Sequence, residues 1–365
     1  MRTSAKTLAN LIGAISKTHK KNGKGEESNI VQVSWENGQF IIRSSNSAIH
    51  VVAKATDVSG QNASVSVKAD ELCNALLGVE DDEKKALITA LSDNTISVSG
   101  NGSVSLSSLE HKQTVPVIAT SDPLITVVGA DLLAALDSIL FAVSSDGSQK
   151  EYIHLHLIPS ECEATMTAIG NNVFAIYALS LEGVDDESEE RKILIHSDNL
   201  KRVQALLKIY KNAFFDVSVT NEWLTITSSQ ISISININTG LKPIGIGGIT
   251  NMNFGRPLCF ELLPFKKELN NVNKVKQGNV LRIKSGSGTT SISCGAYNKD
   301  SVMAVSTSDT EFAIDLPTVI KMISNLRGNV VFSTTEPNKQ MGGSYLIKVA
   351  AESGNLTYYT GGAKL

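Results

Sequence analysis

The sequence predicts an α+β fold in which one supersecondary unit of about 120 residues occurs three times, each copy with two helices and about eight mostly antiparallel strands. Three observations predict it. A short alternating strand runs directly into a helix at three places, those helices carry an apolar stripe at matching offsets, and period-2 strands fill the stretches between them.

The three strands are residues 63–67, 192–195 and 312–314, and the helices that follow begin near Asp70, Asp198 and Pro317. Counted from Val67, Ile195 and Ile314, the fifth residue on is Leu72, Leu200 or Val319. The eighth is Ala75, Val203 or Met322, and the twelfth is Val79, Leu207 or Leu326. Steps of three and four place each set on one helix face. The helix starts are alike too: Ala69-Asp70 and Ser197-Asp198 offer capping oxygens, and Asp315-Leu316-Pro317 adds a proline in the first turn.

A second helix opens each unit. Its stripe is Leu8, Leu11, Ile12 and Ile15 in the first copy, and Leu132, Leu136, Ile139 and Val143 in the second. In the third it is Leu262, Phe265, Leu269 and Val272, a weaker pattern because Pro264 stands near its start. Alternating segments such as 95–99, 103–106, 224–227 and 231–235 read as strands, and Asn37-Gly38 and Asn101-Gly102 as hairpin turns. Polar and Pro/Gly-rich stretches at 113–123 and 240–257 divide the chain into domains 1–120, 121–250 and 251–365.

Composition narrows the function classes. With 42% apolar and 19% charged residues in 365, each unit can bury a core and none need be disordered. The net charge of −3 excludes holding nucleic acid by overall positive charge, but not by one cationic surface. Cys73, Cys162, Cys259 and Cys294 show no metal or disulfide spacing, as expected of reduced thiols in a cytoplasmic protein. No leader pattern and no membrane-length apolar run is read in the sequence, so no membrane association is expected.

On helical wheels, Lys6, Lys17 and Lys21, with Lys24 just beyond, fall opposite the first helix's stripe. Lys201, Arg202 and Lys208 do the same after Ser197, as do Lys267 and Lys274 in the third unit's first helix and Lys321 in its second. The helices from Asp131 and Asp70 instead expose Asp137 and Asn74. Were these helices to share one surface, it would attract phosphates without reading bases, since lysine is a mobile point charge. Surface helices also carry lysines for solubility alone, so this feature does not decide by itself.

The threefold pattern, taken with four segments, resembles the bacterial β-type DNA sliding clamp from end to end. Residues 30–38 resemble the opening of that family's first domain, and 104–109 its strand and exit to the first linker. Residues 167–175, Thr-Ala-Ile-Gly-Asn-Asn-Val-Phe-Ala, stand where the family has Ala-Thr-Asp-Gly-His-Arg-Leu-Ala. The ending at 358–365 parallels the family's terminal Met-Pro-Met-Arg-Leu.

The resemblance implies a non-enzymatic homodimer, joined head to tail into a ring around double-stranded DNA without sequence preference. It would need no cofactor, would serve a replicative DNA polymerase and a clamp loader, and would sit in the cytoplasm with the nucleoid. By position, Lys24, Lys150 and Tyr152 match loop and rim residues that touch DNA. Val104 and Leu106 would meet Leu269 and Val272 across the dimer seam. Partner peptides would dock between the second and third domains, against Ile153, Ile169, Asn171, Val173, Phe174, Pro243, Thr360 and Leu365. Two departures stand out: Gly170-Asn171-Asn172-Val173 replaces Asp-Gly-His-Arg, and Gly361-Gly362-Ala363 replaces Met-Pro-Met.

Two other readings stay open: a repeat scaffold that binds only proteins, and a metal-dependent hydrolase using His154 and His156. Those histidines alternate on a strand and face one way, but no third ligand is marked nearby, so no metal is expected. The glycine-rich stretch 240–248 lacks the Lys-Ser/Thr of a phosphate loop, and the acidic run 185–190 reads as a solvated loop.

Overall fold

The structure is a computed structural model describing residues 2–3, 12–13, 30–36, 39–55, 63–78, 86–90, 94–99, 102–109, 122–146, 148–184, 189–238, 241–275, 278–287, 289–299, 304–306, 309–336, 345–352 and 354–362. The hairpin pairs at 37–38 and 101–102, most of the first helix and most of the 113–123 boundary therefore lie wholly or partly outside the described residues.

Residues up to 107 supply β1 (Arg2–Thr3), β2 (Ile30–Glu36), β3 (Gln39–Ser45), β4 (Ile49–Ala55), β5 (Ala63–Lys68), α1 (Ala69–Gly78), β6 (Ala86–Ala90), β7 (Thr95–Ser99) and β8 (Ser103–Ser107). Next come β9 (Ile125–Val128), α2 (Gly129–Ile139), β10 (Tyr152–Ile158), β11 (Glu163–Ile169), β12 (Val173–Ser180), β13 (Glu182–Val184), β14 (Arg191–His196), α3 (Ser197–Tyr210), β15 (Phe214–Val219), β16 (Trp223–Thr227) and β17 (Ile231–Asn236). The chain continues through α4 (Gly247–Thr250), β18 (Gly255–Phe260), α5 (Leu262–Val275), β19 (Val280–Gly286), β20 (Thr289–Cys294), β21 (Tyr297–Lys299) and β22 (Ala304–Ser306). It ends with β23 (Thr310–Asp315), α6 (Leu316–Asn325), β24 (Val330–Thr334), β25 (Leu346–Ala351) and β26 (Leu356–Gly361).

Among the described residues the strands form four sheets, ordered β1-β6-β7-β8, β13-β9-β15-β16-β17-β4-β3-β2-β5, β14-β10-β11-β12-β26-β25-β24-β18-β22 and β21-β20-β19-β23. The fold is thus mixed α and β, with few helices and many antiparallel strands. Each nine-stranded sheet is stitched from strands far apart in sequence. β17 pairs with β4 from Ile231↔Ala53 to Ile235↔Ile49, and β12 pairs with β26 from Val173↔Thr360 to Tyr177↔Leu356.

The predicted stripes lie against the sheets. Leu72, Ala75, Leu200, Val203, Leu207, Val319, Met322 and Leu326 are all buried, as are Ile12, Leu132, Leu136, Ile139, Phe265, Leu269 and Val272. Val79 lies outside the described residues, and Val143 and Leu262 are half-buried. Pro264 does not break α5. It stands in the first turn, where the helix has no use for its missing N–H, and Phe265 then stacks on Phe260 with ring centroids 4.4 Å apart.

The caps differ from expectation at one helix. Asp315 accepts from the Thr318 N–H at 3.0 Å, as a capping carboxylate should. At α3, however, the acceptor for the Asp198 N–H is the ring Nδ1 of His196, at 3.2 Å, rather than the Ser197 hydroxyl. The reason is position: with backbone angles of φ −61° and ψ 132°, His196 is the extended residue before the helix. Its Nε2 lies 3.3 Å from a Glu151 carboxylate oxygen, which fixes the proton there and leaves Nδ1 to accept.

Helices and sheets are joined across the β12–β26 junction as well. α2 packs on α3 and β12 and also meets α6. The fully buried Tyr358 of β26 donates its hydroxyl to the Ser138 carbonyl of α2 at 2.9 Å. Tyr358→Phe leaves that carbonyl short of a partner and is expected to cost about 1 to 3 kcal/mol, measurable by urea denaturation. An unchanged midpoint would show that the bond carries no stability.

Candidate functional site

The sheet that holds β10 separates two chemically different faces. On β10 the odd residues Ile153, Leu155 and Leu157 are buried with Ile195, Leu200 and Val203 on the helical side. The even residues Tyr152, His154 and His156 point the other way, because side chains alternate along a strand.

On the helical side, Lys201, Lys208, Lys267, Lys274 and Lys321 are exposed and Arg202 is half-exposed, opposite buried stripes that face the sheets. Lys201 pairs with Asp198 at 2.9 Å; among the described residues Lys208, Lys267, Lys274 and Lys321 make no ion pair. α2 contributes exposed Asp137, which accepts from Gln204 at 2.5 Å, and α1 exposes Asp70, Glu71 and Asn74. The helical face is therefore cationic on α3, α5 and α6 and mixed elsewhere. Lys6, Lys17, Lys21 and Lys24 lie outside the described residues.

Lys150 and Tyr152 part company. Lys150 belongs to a polar rim in which its Nζ donates to Asn171 Oδ1 at 2.7 Å, while Asn171 donates to Ser144 at 3.2 Å and Asp146 at 3.3 Å. Hydrogen bonds from Ser148, partly offset by burial and helped by Asn171 and Ser144, hold the Asp146 carboxyl well below the usual carboxylate range. Tyr152 lies on the outward face, edge-on to His196 with centroids 5.2 Å apart. It is not brought to the helical side.

The residues expected to line a partner cleft are divided between the faces. Ile153, Val173 and Thr360 are buried on the helical side of the junction, with the Thr360 hydroxyl donating to the Asn172 carbonyl at 2.7 Å. Phe174 and Ile169 face outward, and Phe174 is buried in an aromatic row with Tyr359 and Phe254, centroids 5.7 and 5.5 Å apart. Asn171 and Pro243 are exposed, and Leu365 lies outside the described residues. The turn between β11 and β12 requires glycine, since a Cβ at Gly170 would run into the Ala142 carbonyl oxygen. A Cβ at Gly362 would run into the Tyr345 ring, so Tyr345 takes the space beside the glycine pair.

Of the residues expected at a dimer seam, Val104 and Leu106 are half-buried on β8, alternating with exposed serines. Leu269 and Val272 are packed inside their own unit on α5. A charged knot that sequence reasoning missed lies beside them. Glu268 of α5 is 5% exposed and accepts from the Tyr297 hydroxyl and from Lys299 Nζ at 2.6 Å, tying α5 to β21. No spacing in the sequence marks it, because the partners are 29 and 31 residues away.

An outward pocket of about 380 Å³ was also missed. His154, His156, Thr165, Thr167 and Lys192 form its floor, and residues 243–246 cross above them. The alternations His-x-His and Thr-x-Thr were visible; that β11, β10 and β14 are neighbours was not. Among the described residues no group of three or more His, Cys, Asp or Glu could hold a metal, and no helix is long and apolar enough to cross a membrane.

No protein-family model matches the chain, and no curated protein matches it by sequence. Solved structures do. The DNA polymerase III beta chain of Streptococcus pneumoniae superposes with a TM-score of 0.81 at 14% identity, covering 99% of this chain and 98% of that one. The Helicobacter pylori beta clamp bound to a DNA ligase peptide matches at 0.77 and 12%, over 100% and 99%. The Pseudomonas aeruginosa sliding clamp, DNA polymerase III subunit beta, bound to griselimycin matches at 0.81 and 11%, again over 100% and 99%. What this likeness establishes is the fold: the chain is built like bacterial sliding clamps along its whole length.

The Glu268 knot gives a pH prediction. Burial pushes this carboxyl up, but hydrogen bonds from Lys299 and Tyr297 outweigh it and hold the folded-state pKa below 4.5. A group depressed on folding stabilises the fold above its unfolded pKa and ceases to as pH falls through the folded value. Wild type should therefore lose stability faster than Glu268→Gln between about pH 5 and pH 3 in acid-titrated thermal melts. Parallel curves would contradict this.

Proposed function

We propose that this chain is a DNA sliding clamp: a non-enzymatic protein of three repeated domains, near 1–120, 121–250 and 251–365, that pairs head to tail with a second copy and encircles duplex DNA. The observation that carries the proposal is the sheet order. β4-β3-β2-β5, β12-β11-β10-β14 and β21-β20-β19-β23 share one strand order. β1-β6-β7-β8, β9-β15-β16-β17 and β18-β24-β25-β26 share another, which supports a threefold repeat. β17 joins β4 and β26 joins β12. By the same rule β8 should join β21, and both are edges of four-stranded sheets here. Two copies related by a twofold axis satisfy both pairs of edges and close a ring of six domains.

The character of β8 supports this. Free edges are usually guarded by charge, proline or a bulge, yet β8 reads Ser-Val-Ser-Leu-Ser and pairs with β7 in unbroken register. In such a ring the exposed lysines of α3, α5 and α6 would face the DNA, with Lys6, Lys17, Lys21, Lys24 and Arg202 as further candidates, and Lys150 at the rim. Topology, rather than tight binding, would retain the clamp, so modest nonspecific phosphate contacts suffice. Tyr152, on the outer face, is better placed to support the linker. Val104 and Leu106 would lie in the seam, backed by Leu269 and Val272.

Polymerase, clamp loader and other replication proteins would be the partners, in the cytoplasm on the nucleoid. The H. pylori clamp is bound to a DNA ligase peptide, which supports a peptide-binding role for this chain; Ile169, Asn171, Pro243 and Leu365 are more accessible candidates than Ile153, Val173, Phe174 and Thr360.

The test is topological. Loaded onto nicked circular DNA, the protein should co-elute with the circles and be lost on linearisation. Release from circles and linear DNA alike would overturn the proposal. Lys208→Glu with Lys267→Glu and Lys321→Glu should weaken salt-sensitive binding to short linear duplex several-fold, with the solution mass unchanged.

A further inference from the structure

The Glu268 knot stands where the other units carry apolar residues. Ser66, Leu194 and Ala313 each precede the strand residue from which the repeat is counted. Counting across the half-sheets from them, the fourth strand is met at Val52, Ile176 and Asn298. Tyr297, one residue earlier, therefore corresponds to Val51 and Ala175. On the helices, Phe265, Leu269 and Val272 repeat the spacing of Leu132, Leu136 and Ile139, so Glu268 corresponds to Ala135.

At the two internal junctions these positions are apolar. Val51 pairs with Ile233 and Ala175 with Tyr358, joining β4 to β17 and β12 to β26. Val51, Ala175 and Ala135 are all fully buried. In the third unit a tyrosine and a carboxylate take these places. The strand that carries the tyrosine has β20 on one side and, among the described residues, no strand on the other.

That strand is weakly held by its backbone. β21 has three residues, of which Asn298 and Lys299 are exposed. Two residues separate its last paired positions in the hairpin, Cys294↔Tyr297, against four at Ser45↔His50 and Ile169↔Phe174. In those other turns an asparagine is the anchor. Asn46 accepts from the Ala48 and Ile49 N–H groups, and Asn171 donates to Ser144 and Asp146. In the third unit the anchor comes from the helix instead. Glu268 accepts from the Tyr297 hydroxyl and from Lys299 Nζ at 2.6 Å, with Asn271 as a further side-chain partner. Tyr297 and Lys299 stand two residues apart and share a face, so one carboxylate ties down both ends of β21. Burying it is costly unless its oxygens are bonded, and here they are.

We propose that Glu268 is a positioning residue for ring closure: through Tyr297 and Lys299 it holds the open β21 edge in the extended form that β8 of a second copy pairs with. An internal junction forms within one chain as it folds, and apolar packing keeps it. A seam between two copies must also exist open in water, where so short an edge strand is marginal by itself. A strand already in shape loses less conformational entropy on pairing, so the knot strengthens association without touching the partner. The inference rests on the clamp reading, which supplies the pairing of β21 with β8.

The full-length protein, fluorescently labelled, is diluted to obtain the dimer Kd for wild type, Glu268→Gln, Lys299→Met and Tyr358→Phe. Glu268→Gln should raise the Kd about tenfold and Lys299→Met about threefold. Tyr358→Phe, which weakens the internal β12–β26 junction, should leave it unchanged and so controls for lost stability. The Lys299 side chain is half exposed, so its replacement keeps the fold even where the Glu268 variant folds poorly. In diluted monomers, amide hydrogen exchange over residues 297–299 should quicken several-fold in both knot variants but not in Tyr358→Phe. An unchanged Kd in both knot variants, or an equal rise in Tyr358→Phe, contradicts the proposal. A wild type that never dimerises removes the clamp reading and this proposal with it; a dimer indifferent to both knot variants sinks the knot alone.

Discussion

Backbone hydrogen bonding at strand edges is the constraint on which this structure depends. A strand leaves a row of N–H and C=O groups on each side, and each row must be paired, covered or guarded. Here two of the most demanding pairings, β17 with β4 and β26 with β12, are made between segments about 180 residues apart in sequence. They turn three stretches of chain into one continuous β framework. Everything else hangs from it: helices pack on one side, the crossing segment on the other, and the order of strands determines which edges are left over.

The framework also divides the chemistry. On the helical side the sheets meet apolar stripes, so the residues opposite those stripes are free to be charged, and on α3, α5 and α6 the exposed charges are lysines. On the outer side the strands carry Thr, His and Lys among aliphatics, and residues 243–246 and Phe254 cover part of them. A cationic helical face and an outward pocket thus lie on opposite sides of the framework. A net charge of −3 is compatible with such a face, because the lysine cluster is local and its field falls off within about 10 Å at ordinary salt.

Much of this was legible in the sequence. The stripes at Leu72, Leu200 and Val319 and their successors are buried as their spacing requires, since a helix periodicity needs only local information. The strands at 95–99, 103–107, 223–227 and 231–236 follow from alternation in the same way. Pairing across the chain did not follow, because alternation says which face a residue takes but not which strand lies beside it. Hence the sequence alone does not separate Ile153, Val173 and Thr360 from outward Phe174, nor show that Leu269 and Val272 lie on α5's packed face. The Glu268 knot and the pocket under Pro243 stay hidden for the same reason, since each joins residues that long-range packing brings together. The His196 cap is local, but the Glu151 carboxylate that orients its ring comes from just before β10.

The central claim is that the β8 and β21 edges are partners in two copies of the chain. It is tested most directly by placing cysteines at Ser105 and Asn298, the middle residues of those strands, with exposed Cys162 changed to serine. Under mild oxidation the double variant should form a covalent dimer of about 78 kDa, twice the 38.9 kDa chain, with both seams cross-linked and neither single variant able to close them. A double variant that stays monomeric, or that cross-links no more than the single ones, would contradict the account.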